Sequence, residues 1–260
     1  MKWLAVALLA VPAAAMADEQ PICATRPGKS TAPCTVPAGH LQLETGLADW
    51  SVQNAGGERD TSLAIGETAF RYGLSDRSEI SLDVTPWERS GTRLGGTHDS
   101  ASGFGDLVAS YKQQLAAPDA ALQLAMLPSV KIPTAKHSLG NGKWEAALAV
   151  PILYAIGKSP FSINLTPEVD WSADADGHGH HLGMVQVASL GWQLNEKLSV
   201  AGDLWGQWDW DPVGTTRQYS ADGSVAYLVN SDLQLDAGAN FGLNRNTPDI
   251  ELYGGISKRF

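Results

Sequence analysis

The chain has 260 residues, of which 18 are basic and 28 are acidic, and its formal net charge at neutral pH is −10. Phosphate binding depends on clusters of Lys and Arg, so this acidic balance argues against a nucleic-acid partner. Hydrophobic residues make up 43% of the chain, which argues against a disordered protein.

The N-terminus has the features of an export signal. Lys2 supplies a positive charge, residues 3–11 form a short apolar stretch, and residues 15–17 fit a cleavage site between small residues. The apolar stretch is shorter than the ~20 residues that a membrane-spanning helix needs, which argues against an N-terminal anchor. We therefore predict a signal peptide at residues 1–17, followed by an exported mature chain.

The next segment, residues 18–39, contains the two cysteines of the chain, Cys23 and Cys34. Export delivers them to an oxidising compartment, so we expect a disulfide between them. Two cysteines alone are a weak metal site. The sequence leaves open whether this segment stays in the periplasm or enters the interior of the structure that follows it.

From residue 40 onward the sequence repeats one unit, in which a stretch of alternating apolar and polar residues is followed by turn residues. Phe161, Ile163 and Leu165 alternate with polar residues, for example, and this period of two predicts a strand. Such alternation is expected when one face of a strand meets lipid and the other meets a polar interior. The predicted strands, about twelve, are 40–53, 61–74, 78–88, 103–115, 121–133, 144–157, 160–173, 182–194, 197–210, 217–229, 232–243 and 249–260.

Two further patterns favour a closed membrane barrel over a soluble β-sandwich. Connections at one end of the strands are short, whereas longer polar loops are predicted at the other end, at 90–102, 134–143 and 174–181. Aromatic residues fall at two levels, as expected for the two membrane interfaces. The level near the short turns comprises Tyr72, Tyr111, Tyr154, Trp192, Tyr227 and Phe260, and the other comprises Trp50, Trp87, Trp171, Trp208 and Trp210.

We therefore predict an all-β fold, a closed antiparallel transmembrane β-barrel of about twelve strands at residues 40–260, located in the cell outer membrane. Its expected partners are outer-membrane lipids, a small-molecule solute and the barrel-assembly machinery. The last of these is expected to bind the C-terminal strand, where Leu252, Ile256 and Phe260 alternate. Lys258 interrupts this pattern, and its long side chain is expected to extend to the interface.

The polar faces of the strands predict a charged lumen, because a charge facing lipid costs about 2–4 kcal/mol at the midplane. The residues predicted to line a solute path are Glu44, Glu67, Arg71, Asp83, Lys131, Glu168, Asp170, Asp203, Asp209 and Asp222. Their acidic majority would favour cations in an open pore. Side chains could equally fill a barrel of about twelve strands, so the sequence leaves open whether the lumen conducts or is packed.

One predicted outer loop combines acidic residues with His178, His180 and His181, which are possible ligands of a transition metal. Two glycines in the same loop favour a solvated polar loop, so the histidines are only weak metal candidates. No serine stands in a G-x-S-x-G motif, and all histidines fall at strand ends or in loops. We therefore expect neither an enzyme nor a cofactor.

Several motifs resemble those of a known family. They are Gly73–Arg77 at a short turn, Gly103–Asp106 at the start of a strand, and Lys131–Thr134 followed by Leu139–Gly142. Together they are similar to the outer-membrane transporter family named for a phenol meta-cleavage degradation pathway. The resemblance runs from about Leu41 to Phe260 and implies a channel for passive uptake of small solutes, aromatic or hydrophobic compounds among them. It implies no binding residues. The alternative function is a structural or surface-interaction barrel with a packed lumen.

Overall fold

A computed structural model describes residues 21–117 and 120–260, so the predicted signal peptide and residues 18–20 lie outside the described residues. In these ranges no helix is long and apolar enough to cross a membrane. The described chain forms sixteen strand segments in a single sheet. They are β1 (Leu41–Ala55), β2 (Glu58–Ile65), β3 (Glu67–Ser75), β4 (Ser78–Val84), β5 (Trp87–Leu94), β6 (Thr97–Gly103), β7 (Leu107–Gln114), β8 (Leu122–Ile132), β9 (Glu145–Ala149), β10 (Ile152–Ala155), β11 (Phe161–Ala173), β12 (His180–Gln193), β13 (Leu198–Asp209), β14 (Thr216–Asn230), β15 (Leu233–Gly242) and β16 (Ile250–Arg259).

These segments make up twelve barrel strands, because four barrel strands are interrupted and consist of two segments each. The interrupted pairs are β2–β3, β4–β5, β6–β7 and β9–β10. Gly66, Pro86, Gly105 and Pro151 stand at the interruptions, as expected for residues that bend strands or lack a backbone donor. Antiparallel pairing of β1 with β16 closes the sheet. The predicted closed all-β barrel of about twelve strands is therefore confirmed.

The outer surface of the barrel is apolar. In β11, Ile163, Leu165 and Val169 are exposed, whereas Thr166 faces inward and is buried. Every barrel strand carries exposed apolar side chains in the same way. Apolar surface of this extent marks contact with another apolar phase, and a closed barrel is the β-structure that satisfies its backbone in lipid. The alternation of the sequence thus produces a transmembrane barrel.

Aromatic side chains are exposed at both ends of this apolar surface. All six residues predicted near the short turns are exposed: Tyr72, Tyr111, Tyr154, Trp192, Tyr227 and Phe260. At the other end Trp87, Trp171 and Trp210 are exposed, whereas Trp50 and Trp208 are half-buried. The short-turn end is the periplasmic end, since outer-membrane barrels have short periplasmic turns and longer outer loops.

One predicted outer loop, 90–102, is wrong. β5 and β6 form a hairpin across these residues, with a two-residue turn at Gly95 and Gly96. Both glycines have positive φ angles, 56° and 89°, as a type I′ hairpin turn requires. The residues of β6 are mostly exposed, so neither face of this strand needs apolar side chains and the alternation that reveals a strand is absent. The loop predicted at 174–181 is also shorter, because His180 and His181 already belong to β12.

Candidate functional site in the barrel lumen

Four charged side chains lie buried together at the periplasmic end of the lumen, and we call them the basal charge cluster. Glu44, Arg71, Glu79 and Lys112 are each 2% exposed. Arg71 pairs with Glu44, and its Nη2 lies 2.7 Å from Glu79 Oε1. Lys112 Nζ lies 3.3 Å from the same oxygen. Two cations thus offset two carboxylates, which is the condition under which charges can be buried.

The N-terminal segment, residues 21–39, binds this cluster mainly through its backbone. Glu44 accepts hydrogen bonds from the backbone N–H groups of Thr25 and Arg26, at 2.9 and 3.0 Å. Four further bonds join a backbone group of the segment to a cluster side chain. Arg71 donates to Cys23 O, Lys112 donates to Ala32 O and Cys34 O, and Val36 N–H donates to Glu79. Because backbone atoms make these contacts, they cannot be predicted from a side-chain pattern in the sequence.

Two basic side chains of the N-terminal segment reach other strands of the barrel wall. Arg26 pairs with Asp236 on β15, with an N–O distance of 3.0 Å. Lys29 Nζ lies 3.8 Å from Asp222 on β14 and 4.3 Å from the ring centre of Trp205 on β13. The N-terminal segment therefore contacts β1, β3, β4 and β7 on one side and β13–β15 on the other, and it crosses the lumen between them.

The predicted disulfide between Cys23 and Cys34 is present and closes a loop within the N-terminal segment. Pro33 and Val36, next to the second cysteine, are fully buried. Beside the segment is a cavity of about 270 Å³, lined by its residues and by residues of β10–β14. The segment thus occupies part of the lumen and leaves space next to it.

The outer half of the lumen contains two cavities with acidic walls. The first, about 340 Å³, is lined by three carboxylates and one cation: Glu145, Glu168, Asp170 and Lys131. The second, about 320 Å³, is lined by four carboxylates and one cation: Asp49, Glu67, Glu88, Glu251 and Arg89. Low-dielectric walls carrying one sign of charge attract ions of the opposite sign, so this half of the lumen favours cations.

The outer loop between β8 and β9 is held at these cavities by residues of the family motifs. Lys131 Nζ donates a hydrogen bond to Asn141 Oδ1 at 2.8 Å. Asp106 accepts one from the backbone N–H of Ala135 at 2.8 Å. Leu139 lines the second outer cavity. The loop consequently folds inward and forms part of the wall of the second outer cavity.

The predicted path residues occupy several levels of the lumen. Buried at the level of the N-terminal segment are Glu44, Arg71, Asp203 and Asp222. Lining the outer cavities are Glu67, Lys131, Glu168 and Asp170. Asp83 is half-buried on β4, and Asp209 lies at the outer end of β13.

Sequence reasoning missed Arg26, Lys29 and Asp236. The first two lie in an irregular segment, where alternation gives no information on side-chain direction. Asp236 follows the alternation of β15, between outward Leu235 and Ala237, so the signal for it was present in the sequence.

At the outer rim the structure brings His181 together with Asp174, Asp209 and Asp211. The His181 side chain is 7% exposed, and its Nδ1 lies 2.9 Å from Asp174 Oδ1. Its Nε2 lies 2.6 Å from Asp209 Oδ1. Hydrogen bonds from two backbone N–H groups, first that of Val213, hold the pKa of Asp211 below its usual value. His181 is therefore buried among carboxylates, not solvated as the sequence suggested.

The other two histidine candidates lie apart from this group. His180 stacks on Trp171, with ring centres 3.7 Å apart, and its Nε2 lies 2.9 Å from the carbonyl oxygen of Trp144. His178 is exposed. Of the three histidines, only His181 is surrounded by possible metal ligands.

Residues 24–260 match the model of the protein family described as "Putative MetA-pathway of phenol degradation". The chain belongs to this family. The resemblance seen in the short motifs is thus confirmed over nearly the whole described chain. No curated protein matches the sequence.

The fold of this phenol-degradation family member is that of solved outer-membrane proteins. An outer membrane channel from Pseudomonas putida F1 has a TM-score of 0.68 at 16% identity, with 90% of this chain and 99% of that chain covered. The translocator domain of the autotransporter NalP from Neisseria meningitidis has a TM-score of 0.54 at 11% identity, with 86% and 90% covered. Together with the apolar exterior, this shared fold establishes the family member as an outer-membrane β-barrel.

Proposed function

We propose that the chain is an outer-membrane channel for passive uptake of small solutes, with the N-terminal segment as its periplasmic closure. The observation that carries this proposal is the incompletely filled lumen, with cavities of about 270, 340 and 320 Å³ beside and outside that segment. Passive flow needs a lumen and weak polar sites, and requires neither a cofactor nor an energy source.

The family description supports small aromatic compounds among the solutes, because it names phenol degradation. The periplasmic-end cavity has a lining that suits such a compound. Pro27, Leu153 and Ala226 offer apolar surface, and several serines, among them Ser189 and Ser224, offer hydroxyl groups. A binding surface that is apolar with a few polar groups matches a phenol, which has one ring and one hydroxyl.

The first outer cavity, lined by Glu168 and Asp170, should set the ion selectivity of the channel. In Glu168→Gln/Asp170→Asn two lining charges are lost, so we expect a lower cation preference, seen as a smaller reversal potential in a KCl gradient across a planar bilayer. Asp176→Asn is the matched control, because Asp176 is exposed in the outer loop. An unchanged reversal potential in the double variant would place the ion path elsewhere.

A second candidate function is a structural or surface-interaction barrel. It is favoured by the many hydrogen bonds between the N-terminal segment and the barrel wall. This candidate predicts silent bilayers even when the segment is released, whereas a channel with a closure predicts conductance after release. The variants described in the Discussion separate the two.

We further propose that the barrel-assembly machinery recognises β16, the C-terminal strand. Phe260 is exposed at the end of this strand, and Lys258 Nζ lies 5.7 Å from its ring centre, so the lysine that interrupts the motif still contacts the terminal aromatic. We expect Phe260→Ala to lower the amount of heat-modifiable barrel in the outer-membrane fraction. Phe241→Ala, which removes an exposed ring from β15, is the control and should have the smaller effect.

A further inference from the structure

Four side chains at the outer rim, three carboxylates and one imidazole, lie close together, and we call them the rim cluster. Asp174 follows β11, His181 is the second residue of β12, and Asp209 and Asp211 stand at the end of β13 and just beyond it. Strand pairing places β12 between β11 and β13, which brings the four together from three neighbouring strand ends. His181 and Asp209 belong to the inward faces of β12 and β13, and Asp174 and Asp211 lie in the adjoining loops.

The electrostatics of this group are unbalanced. Among residues 21–117 and 120–260, no Lys or Arg pairs with Asp174, Asp209 or Asp211, and His181 is the cationic group within reach. Even with a protonated imidazole, three carboxylates leave an excess of negative charge, and the Asp174 and Asp211 side chains are 10% and 9% exposed. Buried charge of this kind requires a counter-charge or neutralisation.

The imidazole is also incompletely satisfied. His181 Nε2 is buried and has no aligned hydrogen bond within the described part of the chain, although Asp209 Oδ1 is 2.6 Å away. On the other side of the ring, Asp174 Oδ1 and Asp211 Oδ2 lie 2.9 and 3.6 Å from Nδ1. A neutral imidazole has one N–H, so it cannot donate to carboxylates on both sides.

From this geometry we propose that Asp174, His181 and Asp211 bind a divalent transition-metal ion such as Zn²⁺, with Asp209 orienting the imidazole. One possible ligand atom from each of the three residues lies within 4.8 Å of the others. Ligands that bind one Zn²⁺ at about 2.0–2.2 Å are roughly 3–4 Å apart, which fits the distances on the Nδ1 side of the ring.

Asp209 has the position of a supporting carboxylate. Ligation through Nδ1 leaves the proton on Nε2, and a small rotation of the ring then aligns that N–H with Asp209 Oδ1. A metal-bound histidine usually donates its second N–H to a carboxylate or carbonyl in this way. One nitrogen and two carboxylate ligands suit a first-row divalent ion, whereas Ca²⁺ prefers oxygen ligands throughout. The bound ion would join the neighbouring loops 174–179 and 210–215 at the outer rim.

The test is titration of the untagged full-length mature protein in detergent with ZnCl₂, followed by isothermal calorimetry. We expect one Zn²⁺ per chain, and at least about tenfold weaker binding in His181→Ala and in Asp209→Asn. His178→Ala is the matched control, since it removes an exposed histidine that is four residues from Asp174 and three from His181 but leaves the cluster intact. Its affinity for Zn²⁺ should equal that of the unsubstituted protein.

Heat-modifiable migration on a gel verifies that each variant forms the barrel. If His181→Ala does not, Asp211→Asn decides, because it keeps the shape of the side chain and removes one ligand charge. The proposal is overturned if the unsubstituted protein binds no Zn²⁺ at equimolar ratio, if His178→Ala weakens binding as much as His181→Ala, or if CaCl₂ binds more tightly than ZnCl₂. In the first case the cluster is an imidazolium ion paired with carboxylates.

Discussion

Arg71→Met is expected to lower the free energy of unfolding of the barrel by about 3–5 kcal/mol, because it breaks a buried ion network and leaves carboxylates without their partner. Methionine retains much of the side-chain length but carries no charge. Glu44 and Glu79 then remain buried at the periplasmic end of the lumen, with Lys112 as the remaining cation of the basal charge cluster. Cys23 also loses a donor to its carbonyl oxygen.

Urea unfolding in phospholipid vesicles, followed by tryptophan fluorescence, measures this change. Arg77→Met is the matched control, since Arg77 lies in the exposed periplasmic turn and donates to the carbonyl oxygen of Leu115. A surface change of this kind is expected to stay within about 0.5 kcal/mol.

A second substitution tests the electrostatic reason for the effect. Adding Glu44→Gln to Arg71→Met removes one of the unpaired carboxylates, so the double variant should recover part of the lost stability. The coupling between the two substitutions in a double-mutant cycle measures their interaction. Equal, small effects of Arg71→Met and Arg77→Met would contradict the buried ionic cluster.

Release of the N-terminal segment should have the largest effect on transport. In Arg26→Gln/Lys29→Gln the segment loses its charged contacts to Asp236 and Asp222. The two basic side chains are partly solvent-accessible, whereas the two aspartates are buried. The two substitutions also remove two charge-assisted hydrogen bonds, from Arg26 to Asp236 and from Lys29 to the Ser220 hydroxyl, which contribute about 3 kcal/mol in total. Loss of this energy from the closed position raises the open population up to about 100-fold, since each 1.4 kcal/mol is a factor of ten.

Open probability in planar bilayers is the measurement. Lys143→Gln is the control, because Lys143 donates to the carbonyl oxygen of Gly177 in the outer loops and does not touch the segment. A barrel that stays silent in the released variant, while still heat-modifiable on a gel, would contradict the channel and favour the structural role.

The membrane-embedded part of this fold was predictable because lipid imposes a rule on every second residue. Ile163, Leu165 and Val169 must be apolar on the lipid side, and a charge in their place would be costly, so the pattern of β11 is visible in the sequence alone. β6 shows the limit of the same reasoning. This strand extends outside the lipid, and its residues Thr97–Gly103 are polar on both faces. Only the two glycines of its turn indicate a hairpin in the sequence.

The sequence predicted which charged residues face the lumen, but it did not predict which of them pair with one another. Glu44 and Arg71 could be placed on inward faces from alternation, but their pairing depends on the register between β1 and β3. The rim cluster requires the relative register of β11, β12 and β13, which no local pattern contains. The contacts of the N-terminal segment depend on backbone groups, such as the N–H of Thr25, and side-chain chemistry does not encode them.

The position of the N-terminal segment also sets an order of events during biogenesis. Residues 21–39 directly precede β1, yet Arg26 bonds to Asp236 across a separation of 210 residues, and Gln234 bonds to Arg26 across 208. Contacts this distant in the chain form late, after the loop that they close has been ordered. The β1–β16 seam joins the same two ends of the chain. Docking of the N-terminal segment on β15 and closure of the β1–β16 seam therefore both wait for the last strands of the chain, so neither can form on a partly synthesised barrel.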